Sequence, residues 1–547
     1  MDRDRAALIR RIAWIAVGAV PAAFLAVFFA YPVASIIGRG LRGGGDTSVA
    51  DVVTDPTLRR IAWFTVWQAA LSALLALAVG LPAAWAIGRN DLPARRLVRA
   101  LLIVPFVLPT VVVGAALNAV FERTGLDHGA FHLDGTIWAI LLAHVIFNAS
   151  VVVRVVGSYW AHLDPHAEEA ARMLGASRLR VLREITLPRL EPALWAASTI
   201  AFLFCFTSFG VILIVGGPRR ATLETEIWRN ATQRTDFTTA AVLALVQLAA
   251  VVALLVVSTR AERRASAQFH TRRVVAPGRP RTLRRKLVVA GALGANGLLV
   301  AVPLGVLVER SLAVGDGHGL AHYRALAHRG NRSALFVPPL DAVWNSLVYA
   351  TAAMVIAVFV GSLASVVVVH GRRGFGRTFD VGLMLPLGTS AVTLGFGILI
   401  ALDEPPLDLR ASRVIVPIVQ ALIGVPLVMR SLIPTLRAID PRLRDAATVL
   451  GASPTRVRLE VDARAALRAV LIGAAFAFAI SLGEFGATSF LARADAPTVP
   501  VAMFRLLGQP GAALRGQANA LGVLLALMTV VAVLIIERLR PRDALGW

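Results

Sequence analysis

The chain has 547 residues, 57% of them hydrophobic and 16% charged, with a formal charge of +23 and a mean hydropathy of +0.70. Soluble enzymes carry roughly a quarter of their residues charged, so this composition excludes that class and points to a polytopic membrane protein. Cys205 is the single cysteine, which excludes a disulfide scaffold and a Cys-ligated zinc site.

Arg3, Arg5, Arg10 and Arg11 precede a first apolar run, Ala13–Ile37. It is too long for the apolar region of a signal peptide and no clear small-x-small cleavage site follows its core, so it reads as a retained spanning helix. Further spans are predicted at about Ile61–Gly88, Val98–Val120, Thr136–Val156, Trp195–Val215 and Thr239–Val257. A basic linker follows, Arg260–Lys286, with ten basic residues against one acid, Glu262. A second set of spans is predicted at about Leu287–Leu307, Val343–His370, Val381–Leu402, Val414–Ile433, Leu467–Leu491 and Leu521–Ile536. The expected fold is therefore an all-α polytopic membrane protein of about twelve transmembrane helices. Pro105, Pro109 and Pro386 mark expected irregularities in the third span of each set.

The two sets are related by constant offsets. Arg154, Gly175, Gly210 and Arg229 become Arg430, Gly451, Gly486 and Arg505 on adding 276; Gly80, Pro105 and Gly114 become Gly361, Pro386 and Gly395 on adding 281. Unrelated apolar helices would share composition but not these offsets, so the chain reads as two homologous six-helix halves. The organisation expected is a first repeat over residues 1–259, a linker over 260–286 and a second repeat over 287–547.

Charge sets the expected orientation. The Arg-rich loops Arg89–Arg99, Asp164–Arg189, Arg260–Lys286, Arg372–Arg377 and Arg437–Arg464 fall on one side if both termini are cytoplasmic. The outer loops Glu122–Gly135 and Asp403–Arg410 are less basic. This alternation explains the high net charge without nucleic acid, and the basic stretches lack the interleaved aromatics of a single-strand binder.

Two polar stretches interrupt the apolar pattern at equivalent places, Asp164–Pro188 and Asp440–Arg464. Each reads as two helices joined by a bend. Asp164-Pro165 and Asp440-Pro441 suit a capped first turn, and Gly175 and Gly451 a left-handed helix end. Ser177 and Ser453 can cap the second helix, and Pro188 is expected to stop it in the first copy.

The spacing Glu169-Ala170-Ala171, three residues, Gly175, nine residues, Ile185-x-Leu187-Pro188 resembles the EAA loop of the membrane subunits of binding-protein-dependent bacterial ABC importers. The second copy, Asp445-Ala446-Ala447 then Gly451, is degenerate, with Val461-Asp-Ala-Arg464 where Ile-x-Leu-Pro would stand. The resemblance implies a permease in the plasma membrane that carries no ATPase and is no enzyme. Its partners would be membrane lipid, a pair of cytoplasmic ATP-binding subunits and an extracytoplasmic substrate-binding protein. It implies ATPase coupling through Glu169, Ala170, Ala171 and Gly175, and through Asp445, Ala446, Ala447 and Gly451. The stretches Gly216-Gly-Pro218, Leu223–Arg229 and Thr239–Gln247 look like thiamine importer permeases, and Ser481–Gly486 with Pro500–Arg505 is similar to these and to fused ferric-iron permeases. The expected cargo is a small cationic ligand, thiamine or ferric iron, with another small solute as the alternative, and no bound cofactor or metal is expected in the permease itself.

Glu484 is the acid expected inside a span, and Ser208 is its counterpart in the first half. Intramembrane carboxylates are costly and face a cavity or a partner. Together the two side chains could line the translocation pathway; alternatively Glu484 pairs with an Arg or is a hydrogen-bonded structural group. Gly371–Thr378 nearly fits a phosphate-binding glycine loop, but Arg377 stands where Lys belongs and the stretch joins two spans. Rival classes are a membrane enzyme, which the scattered histidines do not favour, and an ion-coupled secondary transporter, against which only the EAA loops discriminate.

Overall fold

The structure is a computed structural model that describes residues 16–42, 49–92, 98, 104–129, 131–266, 282–329, 335–371, 373–403, 408–410 and 412–539. The amino-terminal arginines and the centre of the basic linker, residues 267–281, lie outside the described residues, as do residues 404–407 of one outer loop and residues 99–103 of the third expected span. The described residues form ten helices long and apolar enough to cross a membrane, or eleven if one bent pair is a single span. The fold is all-α; the exception is a two-residue hairpin, Ala313–Val314 with Gly317–His318.

The principal helices are α1 (Ala16–Arg42), α2 (Pro56–Arg89), α3 (Thr110–Thr124), α4 (Ile137–His162), α5 (His166–Met173), α6 (Arg178–Phe206), α7 (Gly210–Val215), α8 (Leu223–Thr232), α9 (Phe237–Ser266) and α10 (Leu283–Leu312). The second half continues with α11 (Pro339–His370), α12 (Arg373–Gly388), α13 (Ala391–Ala401), α14 (Ile415–Ala438), α15 (Pro441–Val449), α16 (Thr455–Gly483), α17 (Thr488–Leu491), α18 (Val499–Leu507) and α19 (Ala512–Leu539).

The difference from about twelve spans has a physical cause. The third span of each half is broken. In the first half the helix restarts at Thr110 with Pro109 as its cap. In the second, Phe379–Pro386 and Ala391–Ala401 meet at 95°. Proline lacks the amide that a continuous helix would need, and Ser390 accepts from Val392 N at 3.1 Å and Thr393 N at 3.3 Å to cap the restart. Adding 281 to 109 gives 390, so the break is at the same place in both halves.

The fifth spans also differ from expectation. Pro188 does not stop a helix: the chain runs from Arg178 to Phe206 through a π-helical turn, Leu182–Thr186, and Pro188 sits at the start of the following α-helical stretch. At that position the missing amide is needed least. The second copy has the equivalent π-turn, Arg458–Ala463, without a proline. Both spans then break near their far end, at Thr207–Phe209 and at Glu484–Ala487.

The chain divides into two compact units. One comprises the described residues of 47–229 and 243–322, and its centre is α2 packed along α4 with α6 against both. Ala76, Ala84, Val152, Val156, Leu190 and Ala197 form its buried seam. The other comprises residues 1–46, 230–242 and 323–542, and repeats the arrangement with α11, α14 and α16 around Ala357, Ala364, Val425, Val428 and Ala477.

These units are not the two halves of the sequence. The first helix of each half packs in the unit built mainly from the other half. In α1, Phe29 joins Leu394 and Leu422. In α10, Val289 joins Ala83, Ile87 and Val153, and Asn296 Nδ2 donates to Val79 O at 3.1 Å.

Close approach of the two central helices depends on glycine. A Cβ at Gly80 would stand 2.8 Å from Val152 Cβ and 3.0 Å from Ala149 O; at Gly361 it would stand 3.0 Å from Val428 Cβ and 3.2 Å from Val425 O. The contacts are equivalent, since 152 and 149 plus 276 are 428 and 425. We expect Gly80→Ala to destabilise the protein by about 1–3 kcal/mol and Gly361→Ala by less, because the second site has more room. Thermal unfolding in detergent checks the order; equal loss at both sites would show that the backbone adjusts.

Candidate functional site: two coupling loops and a broken span

Each EAA-like loop folds as a short helix, a left-handed glycine bend and a second helix that continues into a span. In the first copy Asp164 Oδ1 accepts the His166 amide at 3.0 Å. That amide and the His166 ring hold the Asp164 carboxyl below the usual carboxylate range. In the second copy Asp440 Oδ1 accepts the Arg442 amide, also at 3.0 Å. Both acids cap, as their position before Pro165 and Pro441 predicts.

The helix ends match closely. Leu174 N donates to Ala170 O at 3.1 Å and Ala176 N to Ala171 O at 3.0 Å; Leu450 N donates to Ala446 O and Ala452 N to Ala447 O, both at 3.0 Å. Gly175 has φ +84° and Gly451 φ +83°. This is the closing pattern that a left-handed glycine permits, and it uses the carbonyls of the motif alanines. Ser177 Oγ then accepts from Arg180 N at 3.3 Å, and Ser453 Oγ from Arg456 N at 3.4 Å.

Glu169, Ala170, Asp445 and Ala446 are exposed, and Ala171 and Ala447 half-buried. The motif residues therefore lie together on an open surface in each loop. Sequence reasoning missed the apolar tips beside them. Met173 and Leu174 are each 89% exposed, and Val449 and Leu450 are 86% and 87% exposed. Large apolar side chains this open belong to interaction surfaces, for protein or for membrane. A signal was present, since each tip immediately precedes its glycine at the shared offset of 276.

The structure gives Glu484 a backbone task. Its carboxylate is buried; Oε1 accepts from Ala487 N at 2.7 Å and Oε2 from Thr488 N at 3.0 Å, while Thr488 Oγ1 donates to Glu484 O at 2.9 Å. The side chain thus caps α17 after the break that ends α16. Among the described residues no arginine pairs with it. Ser208 occupies the matching break between α6 and α7 and is also buried.

A second pair of hydroxyls serves the next restart. Thr65 Oγ1 accepts from Leu223 N at 3.1 Å, where α8 begins, and Ser346 Oγ from Val499 N at 2.8 Å, where α18 begins. Here too the residues correspond, 65 plus 281 being 346 and 223 plus 276 being 499.

The centre built on α2, α4 and α6 also carries a polar interior. Ser72 Oγ and His144 Nδ1 are 2.9 Å apart, Asn148 Nδ2 donates to Cys205 Sγ at 3.2 Å, and Gln68 Nε2 donates to Cys205 O at 3.1 Å. All five side chains are buried. The corresponding residues in the second half are Tyr349, Ala353, Gln420, Gly424 and Ser481, so polar groups remain at three of the five places with different chemistry, and the hydroxyl of Ser72 and the amide of Asn148 have no counterpart.

The glycine-rich stretch at Gly371–Thr378 does not form a phosphate cradle. Residue 372 lies outside the described residues, but α12 already begins at Arg373, inside the would-be loop.

The Glu484 geometry alters the expected outcome of a neutral substitution. Glutamine can accept one of the two amides but turns a donor toward the other. We expect Glu484→Gln to cost about 1–3 kcal/mol from the unsatisfied buried amide, and Glu484→Ala more. Thermal unfolding of the purified variants measures this; an unchanged midpoint for Gln would mean that the cap is dispensable.

Residues 76–266 match the family of binding-protein-dependent transport system inner membrane components. The thiamine transport system permease protein ThiP of Brucella abortus (strain 2308) is 28% identical over 538 residues, covering 95% of this chain and 94% of that protein. ThiP of Escherichia coli (strain K12) is 26% identical over 514 residues, covering 89% and 90%. The sulfate transport system permease protein CysT of Salmonella typhimurium is 35% identical over 173 residues, covering 30% of this chain and 62% of that protein.

Proposed function

We infer that this chain, a fused-duplicate permease of the binding-protein-dependent ABC importer class, forms the membrane pathway of a thiamine importer. The observation that carries the ligand is the reach of the similarity. Proteins named as thiamine permeases correspond to this chain through both halves. The sulfate permease, although more similar locally, corresponds to 30% of it. A local match supports the shared permease domain, whereas a match through both halves also includes whatever the ligand touches.

In this reading the chain is a multi-pass inner-membrane protein whose chemistry is movement rather than catalysis. A pair of ATP-binding subunits docks on the coupling loops and a binding protein delivers the ligand from outside. Glu169, Ala170, Ala171 and Gly175 face one ATPase subunit; Asp445, Ala446, Ala447 and Gly451 face the other. The tips Met173–Leu174 and Val449–Leu450 fill apolar hollows, each large side chain contributing about 1.5–3 kcal/mol when fully covered. Ser208 and Glu484, at matching helix breaks, border the pathway, and the Glu484 carboxylate favours a cation such as thiamine.

Orientation is part of the same reading. In the unit that contains the first coupling loop, Arg285 Nε donates to Asn90 Oδ1 at 2.9 Å and Arg89 pairs with Glu168 at 2.7 Å. These contacts gather the end of α2, the coupling loop and the start of α10 at one end. Arg310 and Glu122, 3.3 Å apart, lie at the other. With the Arg-rich end inside, both termini are cytoplasmic.

Uptake of labelled thiamine into proteoliposomes, with the ATPase and binding protein present, tests the ligand. We expect ATP-dependent uptake that excess sulfate and ferric citrate do not reduce. Uptake of either rival with no thiamine transport would overturn the assignment.

Topology has its own test. Cys205 accepts a hydrogen bond from Asn148, so serine, which stands at the matching Ser481, is a better replacement than alanine. In a Cys205→Ser background, a cysteine replacing Ser177 is expected to resist impermeant reagents in intact cells and to react in inverted vesicles. The reverse pattern would invert the orientation.

A further inference from the structure

The first helix of each coupling loop is short, and neither α5 nor α15 has a fully buried residue. An apolar core therefore does not hold either helix to its bundle. A polar tie does so in each copy, and the two ties use different chemistry.

In the first copy the tie is Glu168, the residue before the motif acid. Its Oε1 accepts from Arg89 Nη2 at 2.7 Å and from Thr186 Oγ1 at 3.0 Å. Arg89 Nη1 also donates to Leu163 O at 2.9 Å, so the same guanidinium joins the ends of α2 and α4 to the loop. Adding 276 to 168 and 186 gives Arg444 and Asp462. There Arg444 Nε donates to Asp462 Oδ1 at 2.8 Å. The acid has moved from the loop helix to the span, and a base now stands on the loop helix. The contact between these two positions persists although an acid with a hydroxyl has become a base with an acid.

Thr186 and Asp462 both belong to the π-helical turns, Leu182–Thr186 and Arg458–Ala463. A π-turn takes an extra residue and re-aims the side chains around it. Its recurrence in a copy without the proline links it to the tie rather than to Pro188. Both ties are largely covered, the side chains being 14% and 15% exposed for Arg89 and Glu168, and 28% and 12% for Arg444 and Asp462. The pairs Arg180–Glu184 and Arg456–Glu460 also correspond, but their side chains are 67% and 60% exposed in both copies and water screens them.

We propose that Arg89–Glu168–Thr186 and Arg444–Asp462 are positioning latches that carry movement of a docked coupling helix into the bundle, while the open motif acids Glu169 and Asp445 face the ATPase. This rests on the docking reading above. A covered, directional tie transmits displacement because it has one geometry; an exposed pair on a mobile surface does not.

The test uses the full chain with its ATPase and binding protein in proteoliposomes, and reads labelled thiamine carried per ATP hydrolysed. We expect Glu168→Gln, Arg444→Asp and Asp462→Arg each to lower that ratio about fivefold or more while the ATPase still co-purifies. The exchanged pair R444D/D462R is expected to restore it to within about twofold, which a loss of loop structure alone would not permit. Thr186→Val, which removes only a hydroxyl, lowers the ratio in the same direction and serves if Glu168→Gln fails to accumulate. Unchanged ratios in the single variants, or an exchanged pair as impaired as they are, would overturn the latch. If the wild-type loops cross-link to no ATPase, the docking reading falls and the latch with it. If the wild-type loops do cross-link and the variants transport normally, only the latch is lost.

Discussion

A free amide in hydrocarbon finds no water, so every break in a spanning helix needs an acceptor from the protein itself. This chain breaks its third and fifth spans in both halves, and the polar side chains near the breaks follow from that. Ser390 accepts the amides that open α13, Glu484 those that open α17, and Thr65 and Ser346 those that open α8 and α18. A carboxylate is the most expensive of these groups to bury, and its two charge-assisted bonds to backbone amides offset the cost. The same residue can border a pathway, because irregular backbone at membrane depth is tolerated only where protein or a water-filled cavity surrounds it.

The duplication kept geometry more faithfully than identity. Gly80 against Val152 and Gly361 against Val428 are the same contact with the same residue types. Pro109 and Ser390 begin the same helix by different means, one through a fixed φ and the other through a hydroxyl. Glu168 with Thr186 and Arg444 with Asp462 make the same tie with different charges. The polar interior of Gln68, Ser72, His144, Asn148 and Cys205 persists in part: Tyr349, Gln420 and Ser481 keep polar atoms at three of the places, and Ala353 and Gly424 do not. The two halves are therefore equivalent as scaffolds and differ in the polar groups that they bury.

The coupling loops show why so few residues suffice for a movable contact. Their helices expose the motif alanines and an apolar tip, and the left-handed glycines hold the bend that presents them. Each loop is joined to its span by a hydrogen-bonded tie, and in the first copy the helix is continuous from Arg178 to Phe206. A proline stop at residue 188 would have interrupted that line; the π-turn keeps it continuous.

Much of the architecture was determined by the sequence itself. Apolar runs near the thickness of a bilayer dictate spans, alternating arginine-rich loops dictate their direction, and constant offsets reveal the repeat, because these are local or periodic properties. The caps at Asp164 and Asp440 and the bends at Gly175 and Gly451 were legible for the same reason: each depends on neighbours a few residues away. Tertiary structure alone decided which copy each first helix joins, since an offset carries no information about partners in space. It also decided that Glu168 rather than Glu169 ties the loop to the bundle. The two acids are adjacent and chemically alike, and only the helical rotation of about 100° between them separates the one that meets Arg89 and Thr186 from the one left open.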